Sequence, residues 1–494
     1  MDFAAKFSAK IEEQLKKWEI PSASIAVVKD GQTLLAKGFG MLDNDKTPAD
    51  ADTLYMIASC SKAFTATAAA VLATEGKLDF DTPIVQYMPE FRLHDSYATE
   101  HLTVRDFLSH RSGLPRHEYA WYGTGFTRDE LMSNLKHLFL TAPIRYQFQY
   151  SNFNYLIVGV LIEKISGMPF EKFLAEKLLK PLGMDKSVTF LAQMRNADNR
   201  ALPFDHENSE ELTGIKAIPF YKSPAENDDE GAMVNDPTAP AGCVSSCASD
   251  MVKWLQFNLN KGKVGDQVIV REDLMDLICA SHIDMGPGGP CEPQRTMASY
   301  GLGWMLYSYR GLKMMEHGGN INGFTSSTCF VPALNLGVFV SLNMDVAMLT
   351  EAIVHFVIDE MMQAEDGNWF ERMHDHNKAM LANVRAFMAS FGGEGKPGTT
   401  PSHPIEEYAG TYEVPGYRRF LVTCEDGELY ADFNSSKTKL KHHHYDTFAT
   451  NESLCDLPGG LTITFAADPK GDIRTLSVVL GTEKGFKPLV FVKA

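Results

Sequence analysis

The stretch Ile57-Ala58-Ser59-Cys60-Ser61-Lys62-Ala63-Phe64-Thr65-Ala66 constrains this chain more than any other. From Ser59 to Glu75 the sequence is rich in Ala, Val, Leu and Thr, and Gly76 supplies a stop. A helix that is apolar all round belongs inside a protein. Ser59 and Lys62 are three residues apart, about one turn along the same face. Burial and the positive end of the helix dipole both favour the neutral amine. A neutral amine beside a hydroxyl can take its proton, which makes Ser59 a nucleophile. The Ser59 N–H, in the first turn, lacks an intrahelical acceptor and is free to face an oxyanion.

Spacing alone does not select this pair, because Ser133–Lys136 and Ser436–Lys439 repeat it. Ser133 lies in an amphipathic run from Arg128 to Leu140, where an exposed polar pair is ordinary. Ser436 lies in a polar, turn-like stretch of a β-rich segment. Only Ser59 sits in an apolar helix.

A chain of 494 residues, 44% hydrophobic and 22% charged, is globular in composition and long enough for two or more domains. Its net charge of -17 argues against nucleic acid or an anionic membrane as partner, since phosphates would be repelled. The N-terminus runs into an amphipathic helix through Trp18 and shows no apolar signal segment. No run is long and apolar enough to span a bilayer. Eight cysteines without a Cys-x-x-Cys pair read as free thiols. The expectation is a cytoplasmic, reduced protein with no membrane association.

Short strands are predicted at Ser24–Lys29 and Gln32–Gly38, joined by a hairpin at Lys29-Asp30-Gly31. A mainly helical region follows to about Asp273, interrupted by a polar, irregular stretch from Asn196 to Pro240 that reads as a surface insertion. Gly286-Pro287-Gly288-Gly289-Pro290 reads as a loop. Strands return at Gly303–Tyr309, Leu312–Glu316, Thr325–Val331 and Gly337–Leu342, before a helix from about Met348 to Gln363. Strands at both ends of a helical region point to one sheet built from distant segments, with a helical lobe inserted. Gly392–Gly398 has linker composition. Beyond it, alternating runs such as Phe420–Cys424 and Leu429–Phe433 predict a small antiparallel barrel or sandwich. The boundaries expected are 1–391 for a catalytic domain, 392–404 for a linker and 405–494 for the β domain.

Ser59-Cys60-Ser61-Lys62, Tyr150-Ser151-Asn152 and His317-Gly318-Gly319 together resemble the three motifs of serine β-lactamase and penicillin-binding-protein-like hydrolases. The nearest pattern is the branch of class C β-lactamases, D-aminopeptidases and esterases, where His often stands in the third motif. Leu108–Pro115, Lys180–Met184 and Tyr300–Trp304 also resemble that branch, over about Ile20 to Gln363. The resemblance implies an α/β (α+β) fold: an antiparallel sheet flanked by helices, an all-α lobe and, in some relatives, a C-terminal lipocalin-like barrel. Two roles suit that barrel, capping the cleft or building a homo-oligomer.

The residues make chemical sense in those motifs. Tyr150, a phenol facing a cationic amine, loses its proton more readily and can shuttle it to a leaving group. Asn152 offers a donor and an acceptor to a substrate amide, and equally suits a helix N-cap before Phe153. His317 is expected to polarise the Tyr150 hydroxyl or, protonated, to bind a substrate carboxylate. Gly319 lets substrate lie along the strand edge, and the Asn320 N–H is the second oxyanion donor. Gly318 departs from the family pattern, which usually has a hydroxyl there, and this weakens penicillin-like carboxylate recognition.

Trp121, Tyr122 and Phe126 follow the Ser112–Pro115 turn and suit either a pocket wall or simple packing. His374-Asp375-His376 and His442-His443-His444 have poor spacing for one metal, and the Gly-rich stretches lack phosphate-loop context. No metal or organic cofactor is expected. The reading is a serine hydrolase acting through a Ser59 acyl-enzyme on small amides or short peptides, with D-residues suggested by the resemblance. An esterase or acyltransferase, a β-lactamase and a non-catalytic ligand-binding module are the alternatives.

Overall fold

The computed structural model describes residues 3–42, 47–208, 211–221, 236–286, 293–391, 395–434, 436–450, 460–483 and 485–494. Its main sheet has eight strands: β1 (Ser22–Lys29), β2 (Gln32–Gly40), β3 (Ile283–Gly286), β4 (Arg295–Tyr300), β5 (Met305–Tyr309), β6 (Leu312–Ile321), β7 (Phe324–Val331) and β8 (Leu336–Leu342). They lie in the order β2-β1-β8-β7-β6-β5-β4-β3, every pair antiparallel. The pairing of Ala23 with Leu342 closes a sheet from segments some 300 residues apart, as the distribution of strands predicts.

Strand β1, Ser-Ala-Ser-Ile-Ala-Val-Val-Lys, is buried at every residue but Lys29, because both faces of the sheet are covered. Ile25 and Val27 meet Phe7 and Ile11 of the first helix, Phe3–Lys17, and the Leu349–Met362 helix. Ala26 and Val28, pointing the other way, join Phe64, Trp254 and Phe339 in the core shared with the helical lobe. There the helix Ser61–Thr74 is buried at every position except Thr74. Its alanines let neighbours approach closely, and Phe64 stacks on Trp254 at 3.8 Å. Burying one such ring contributes on the order of 2–3 kcal/mol.

Several boundaries differ from the sequence reading. The helix expected from Ser59 begins at Ser61, and Ala58–Cys60 form a 3₁₀ turn ahead of it. Strand β6 continues through His317-Gly318-Gly319-Asn320 to Ile321, so the third motif lies inside a strand and not between two. Strands β3 and β4 were not anticipated, since polar residues and glycine hide their alternation; the expected Gly–Pro loop at 287–290 lies outside the described residues. The Arg128 helix ends at Asn134 and tightens into a 3₁₀ turn.

Within the polar 196–240 stretch, Phe204–Asn208 pairs with Thr213–Ala217. Tyr221 and Asp236 of that stretch reach the central pocket, so it is not surface throughout. Among the described residues no single helix is long and apolar enough to cross a membrane.

From Gly410 to Lys493 eight strands close into an antiparallel barrel, and the expected runs Phe420–Cys424 and Leu429–Phe433 fall in two of them. Phe420 and Phe433 stack at 3.9 Å in its interior, with Phe491 edge-on to both. The barrel packs on the catalytic region through Tyr417, Asn434 and Phe486, and its loops face the cleft.

Candidate active site

The site begins with a strained turn. Ala58, immediately before Ser59, has φ +46°, a left-handed conformation that side chains other than glycine rarely adopt. The turn is held from several sides. Ile57 N–H donates to Val244 O at 3.0 Å, Ser326 Oγ donates to Ile57 O at 2.7 Å, and Cys60 Sγ donates to His317 O at 3.0 Å. Partly exposed Ser59 is thereby presented to the cleft at the mouth of an otherwise buried helix.

Lys62 Nζ is fully buried and lies 3.0 Å from Ser59 Oγ, 2.9 Å from Asn152 Oδ1 and 2.9 Å from Ala241 O. Burial, followed by the nearby Arg116 charge, holds its pKa well below the ordinary lysine value. A neutral amine has two hydrogens and one lone pair. Two of its three neighbours are carbonyl oxygens, which only accept, so the lone pair is left for the Ser59 hydroxyl.

Tyr150 donates its hydroxyl to Ser59 Oγ at 2.9 Å, and the Lys62 amine lies 4.8 Å from its ring centroid. Burial raises the phenol pKa, outweighing the opposing effects of the Ser59 bond and Arg116. The expected easier ionisation of Tyr150 is therefore corrected: beside an uncharged amine and out of water, the resting phenol keeps its proton. Asn152 begins the Asn152–Ser166 helix, and Ser151 occupies its N-cap position. Asn152 is thus not the cap, and its amide faces Lys62.

His317 sits on the same strand segment but does not bond Tyr150. Its Nδ1–H donates to Gly318 O at 2.7 Å, so Nε2 accepts from the Tyr300 hydroxyl at 2.8 Å. Burial, the largest cause, pushes it down to a pKa of about 3. A neutral ring with both nitrogens engaged is unsuited to binding a carboxylate as a cation, which corrects that expectation.

Gly319 abuts the nucleophile: a Cβ there would stand 2.2 Å from Ile57 O and 3.0 Å from Ser59 N. Strand β5 pairs with β6 only as far as Glu316, so Gly318–Asn320 keep one edge unpaired by that neighbour. Asn320 is exposed at the cleft, and its side chain donates to Asp345 Oδ1 at 2.8 Å.

Several residues of the site lie outside the three motifs, though His110 belongs to the Leu108–Pro115 stretch. Arg116 stands with its guanidinium 5.2 Å from the Tyr150 ring centroid and donates to Glu118 Oε1 at 2.6 Å. His110, fully buried with φ +56°, packs 4.4 Å from the Tyr150 ring. Its Nδ1 accepts from Ser151 N–H and Asn154 Nδ2, each at 3.2 Å. The Ala241 carbonyl comes from a part of the chain where sequence gives no signal. The Ser133 and Ser436 repeats lie far along the fold, in a lobe helix and a barrel strand. Among the described residues, no three His, Cys, Asp or Glu side chains form a group able to hold a metal.

In front of Ser59 opens a cavity of about 610 Å³, lined by Trp121, Tyr122 and Asn152 on the lobe, by Asn320 on the sheet, and by Leu461 and Val479–Glu483 of the barrel. Phe126 is outside that lining and packs against the core.

An antiparallel sheet with an inserted helical lobe, bearing serine, lysine and tyrosine where they meet, is the β-lactamase/transpeptidase-like architecture of serine hydrolases. The chain belongs to the Beta-lactamase family, whose model matches residues 7–353, while residues 394–493 match a Domain of unknown function (DUF3471). It is 28% identical to the Unguisins hydrolase ungD' of Aspergillus campestris (strain IBT 28561) over 452 residues, covering 87% of this chain and 80% of that one.

Two solved structures share the fold. The octameric penicillin-binding protein homologue from Pyrococcus abyssi aligns over 100% of both chains with a TM-score of 0.62 and 21% identity. The D-amino acid amidase from Ochrobactrum anthropi SV3, complexed with D-phenylalanine, covers 72% of this chain and 98% of its own, with a TM-score of 0.55 and 21% identity.

Proposed function

We propose that this serine hydrolase cleaves small amides and short peptides through an ester on Ser59. One observation carries the reading: buried Lys62 Nζ lies 3.0 Å from Ser59 Oγ and 2.9 Å from two acceptor oxygens, Asn152 Oδ1 and Ala241 O, a setting in which a neutral amine keeps its lone pair for the hydroxyl. Ser59 gives its proton to Lys62 as Oγ attacks the substrate carbonyl. The Ser59 and Asn320 N–H groups receive the oxyanion. Collapse breaks the C–N bond; Tyr150 gives its proton to the leaving nitrogen and recovers one from Lys62. Water then adds to the ester, losing a proton to the same base, and releases the acid. Asn152 orients the acyl group, and His317 acts at one remove by holding Tyr300 and the β6 edge.

Substrates containing D-residues are supported by the D-amino acid amidase among the structural relatives. An ester substrate or an amine acceptor in place of water is the second reading, favoured by the apolar wall of Trp121 and Tyr122. Homo-oligomerisation draws support from the octameric relative and is measured by light scattering.

The test is labelling with a fluorophosphonate probe and locating the adduct by mass spectrometry. An adduct on Ser59, lost in Ser59→Ala, is expected; labelling elsewhere, or none, overturns the reading. A panel of D- and L-aminoacyl amides, p-nitrophenyl esters and nitrocefin then ranks the chemistries.

A further inference from the structure

The segment from Pro115 to Tyr122 lies between the cleft and the barrel. On its inner side Pro115 O accepts the Ser151 hydroxyl at 3.0 Å, next to Tyr150, and Arg116 places its guanidinium over the Tyr150 ring. On its outer side several fixed points come from the barrel. Asn434 Nδ2 donates to Tyr119 O at 2.8 Å and to Tyr122 O at 2.9 Å. Arg116 N–H donates to Glu483 Oε1 at 2.8 Å. His117, itself at φ +46°, donates from Nε2 to Phe139 O, so its Nδ1 accepts the Tyr417 hydroxyl at 2.7 Å. The strap's strained residue and two of its carbonyls are thus held by groups from another unit.

We propose that the C-terminal barrel is a working part of the hydrolase site: it holds the Pro115–Tyr122 strap so that Arg116 stays over Tyr150, and it supplies the outer wall of the substrate cavity. The proposal rests on the reading of Ser59 as the acylated nucleophile. Arg116 is a positioning residue whose charge faces the phenol that transfers a proton; its side chain is partly open to water and also pairs with Glu118, so its contact with the ring is a modest one. Leu461 and Val479–Leu480 stand opposite Trp121 and Tyr122, so the barrel bounds the space for a substrate's side chains and leaving group. This assigns the barrel a role in catalysis and selectivity beyond attachment.

The test uses the full chain and the rate of fluorophosphonate labelling of Ser59, a small probe that does not need the outer wall. Asn434→Ala is expected to slow labelling about threefold, the worth of one cation–ring contact that is partly open to water. Arg116→Gln is expected to match it, Arg116→Lys to keep most of the rate, and the double variant to be no slower than either single change. Tyr417→Phe, which preserves the ring packing, repeats the test at a second contact should Asn434→Ala lower the yield of folded protein. Leu480→Ala should relax the preference among amides of increasing leaving-group size.

Labelling at the parent rate in both Asn434→Ala and Tyr417→Phe, with melting temperatures showing folded protein, overturns the proposal. Fully additive losses in the double variant also overturn it. Failure of the parent protein to label at Ser59 would instead remove the acyl-enzyme reading, so the two failures are distinguishable.

Discussion

Lys62 Nζ and Asn152 Oδ1 lie 2.9 Å apart, and with Ala241 O at the same distance this contact offers acceptors for both hydrogens of a neutral amine. Replacing the amide by a carboxylate changes the charge but little of the shape. Asn152→Asp would put an anion against Lys62, favour the ammonium form and convert the base into a spectator. The expected result is a loss of about a hundredfold or more in amide turnover at neutral pH, the lower end of general-base effects. The acid limb of kcat/KM should move to higher pH, because a more basic Lys62 needs a higher pH to lose its proton. An unmoved limb would mean that Lys62 is not the group whose deprotonation controls the rate.

Gly319 tests the packing of sheet against nucleophile. Its hydrogen occupies the place where a Cβ would meet Ile57 O at 2.2 Å and Ser326 Oγ at 2.6 Å. Both belong to the network holding the strained Ala58–Ser59 turn. Gly319→Ala should therefore push β6 away from Ser59, destabilise the fold by about 1–3 kcal/mol and abolish Ser59 labelling. Denaturant unfolding and probe labelling measure the two effects separately; an alanine variant that labels at the parent rate would refute the close approach.

What the sequence revealed follows the range of the forces involved. The apolar run after Ser59 declares a buried helix because burial leaves a composition that can be read directly, and β1 and β8 declare themselves likewise. Strands β3 and β4 are partly exposed, so polar residues such as Asp284, Arg295 and Thr296 mask them. The approach of Ser59, Lys62 and Tyr150 was legible only because three short motifs occur together. The Ala241 carbonyl and the Arg116 guanidinium were not, since a main-chain oxygen has no letter and an arginine beside a turn looks like surface. His317 was expected between two strands and lies inside β6, and its partner, Tyr300, is set by the β4–β5–β6 pairing and not by spacing along the chain.

Gly318 offers the opposite case to Gly319. An added Cβ would meet only Ser326 O, at an ordinary 3.7 Å, so a side chain fits without moving the strand. Gly318→Thr restores the hydroxyl that the related hydrolases usually carry there. The expected outcome is an unchanged melting temperature and faster acylation by carboxylate-bearing β-lactams relative to neutral amides, by several-fold for one added hydrogen bond. Stopped-flow nitrocefin acylation reads this, and identical selectivity in both proteins would remove Gly318 from the specificity argument.

The barrel contact also fixes a pH dependence. His117 is buried between Phe139 O and Tyr417, and burial pushes it down to a pKa of about 4 from an ordinary 6.5. Between those values the unfolded chain binds a proton that the folded chain refuses, so stability rises with pH through this window. The contribution is complete above about pH 6.5 and is lost as pH falls through about 4, amounting to roughly 3 kcal/mol. Buried His317, held down to about 3, adds a slope of the same sign across the same window and on down to about pH 3. His117→Gln should flatten the stability profile by close to one proton between pH 4 and 6.5. Tyr417→Phe should lower stability while leaving the slope, because burial and not the hydroxyl is the main cause of the shift. Urea unfolding at half-unit pH intervals separates the cases, and an undiminished slope in His117→Gln would show that another group titrates there.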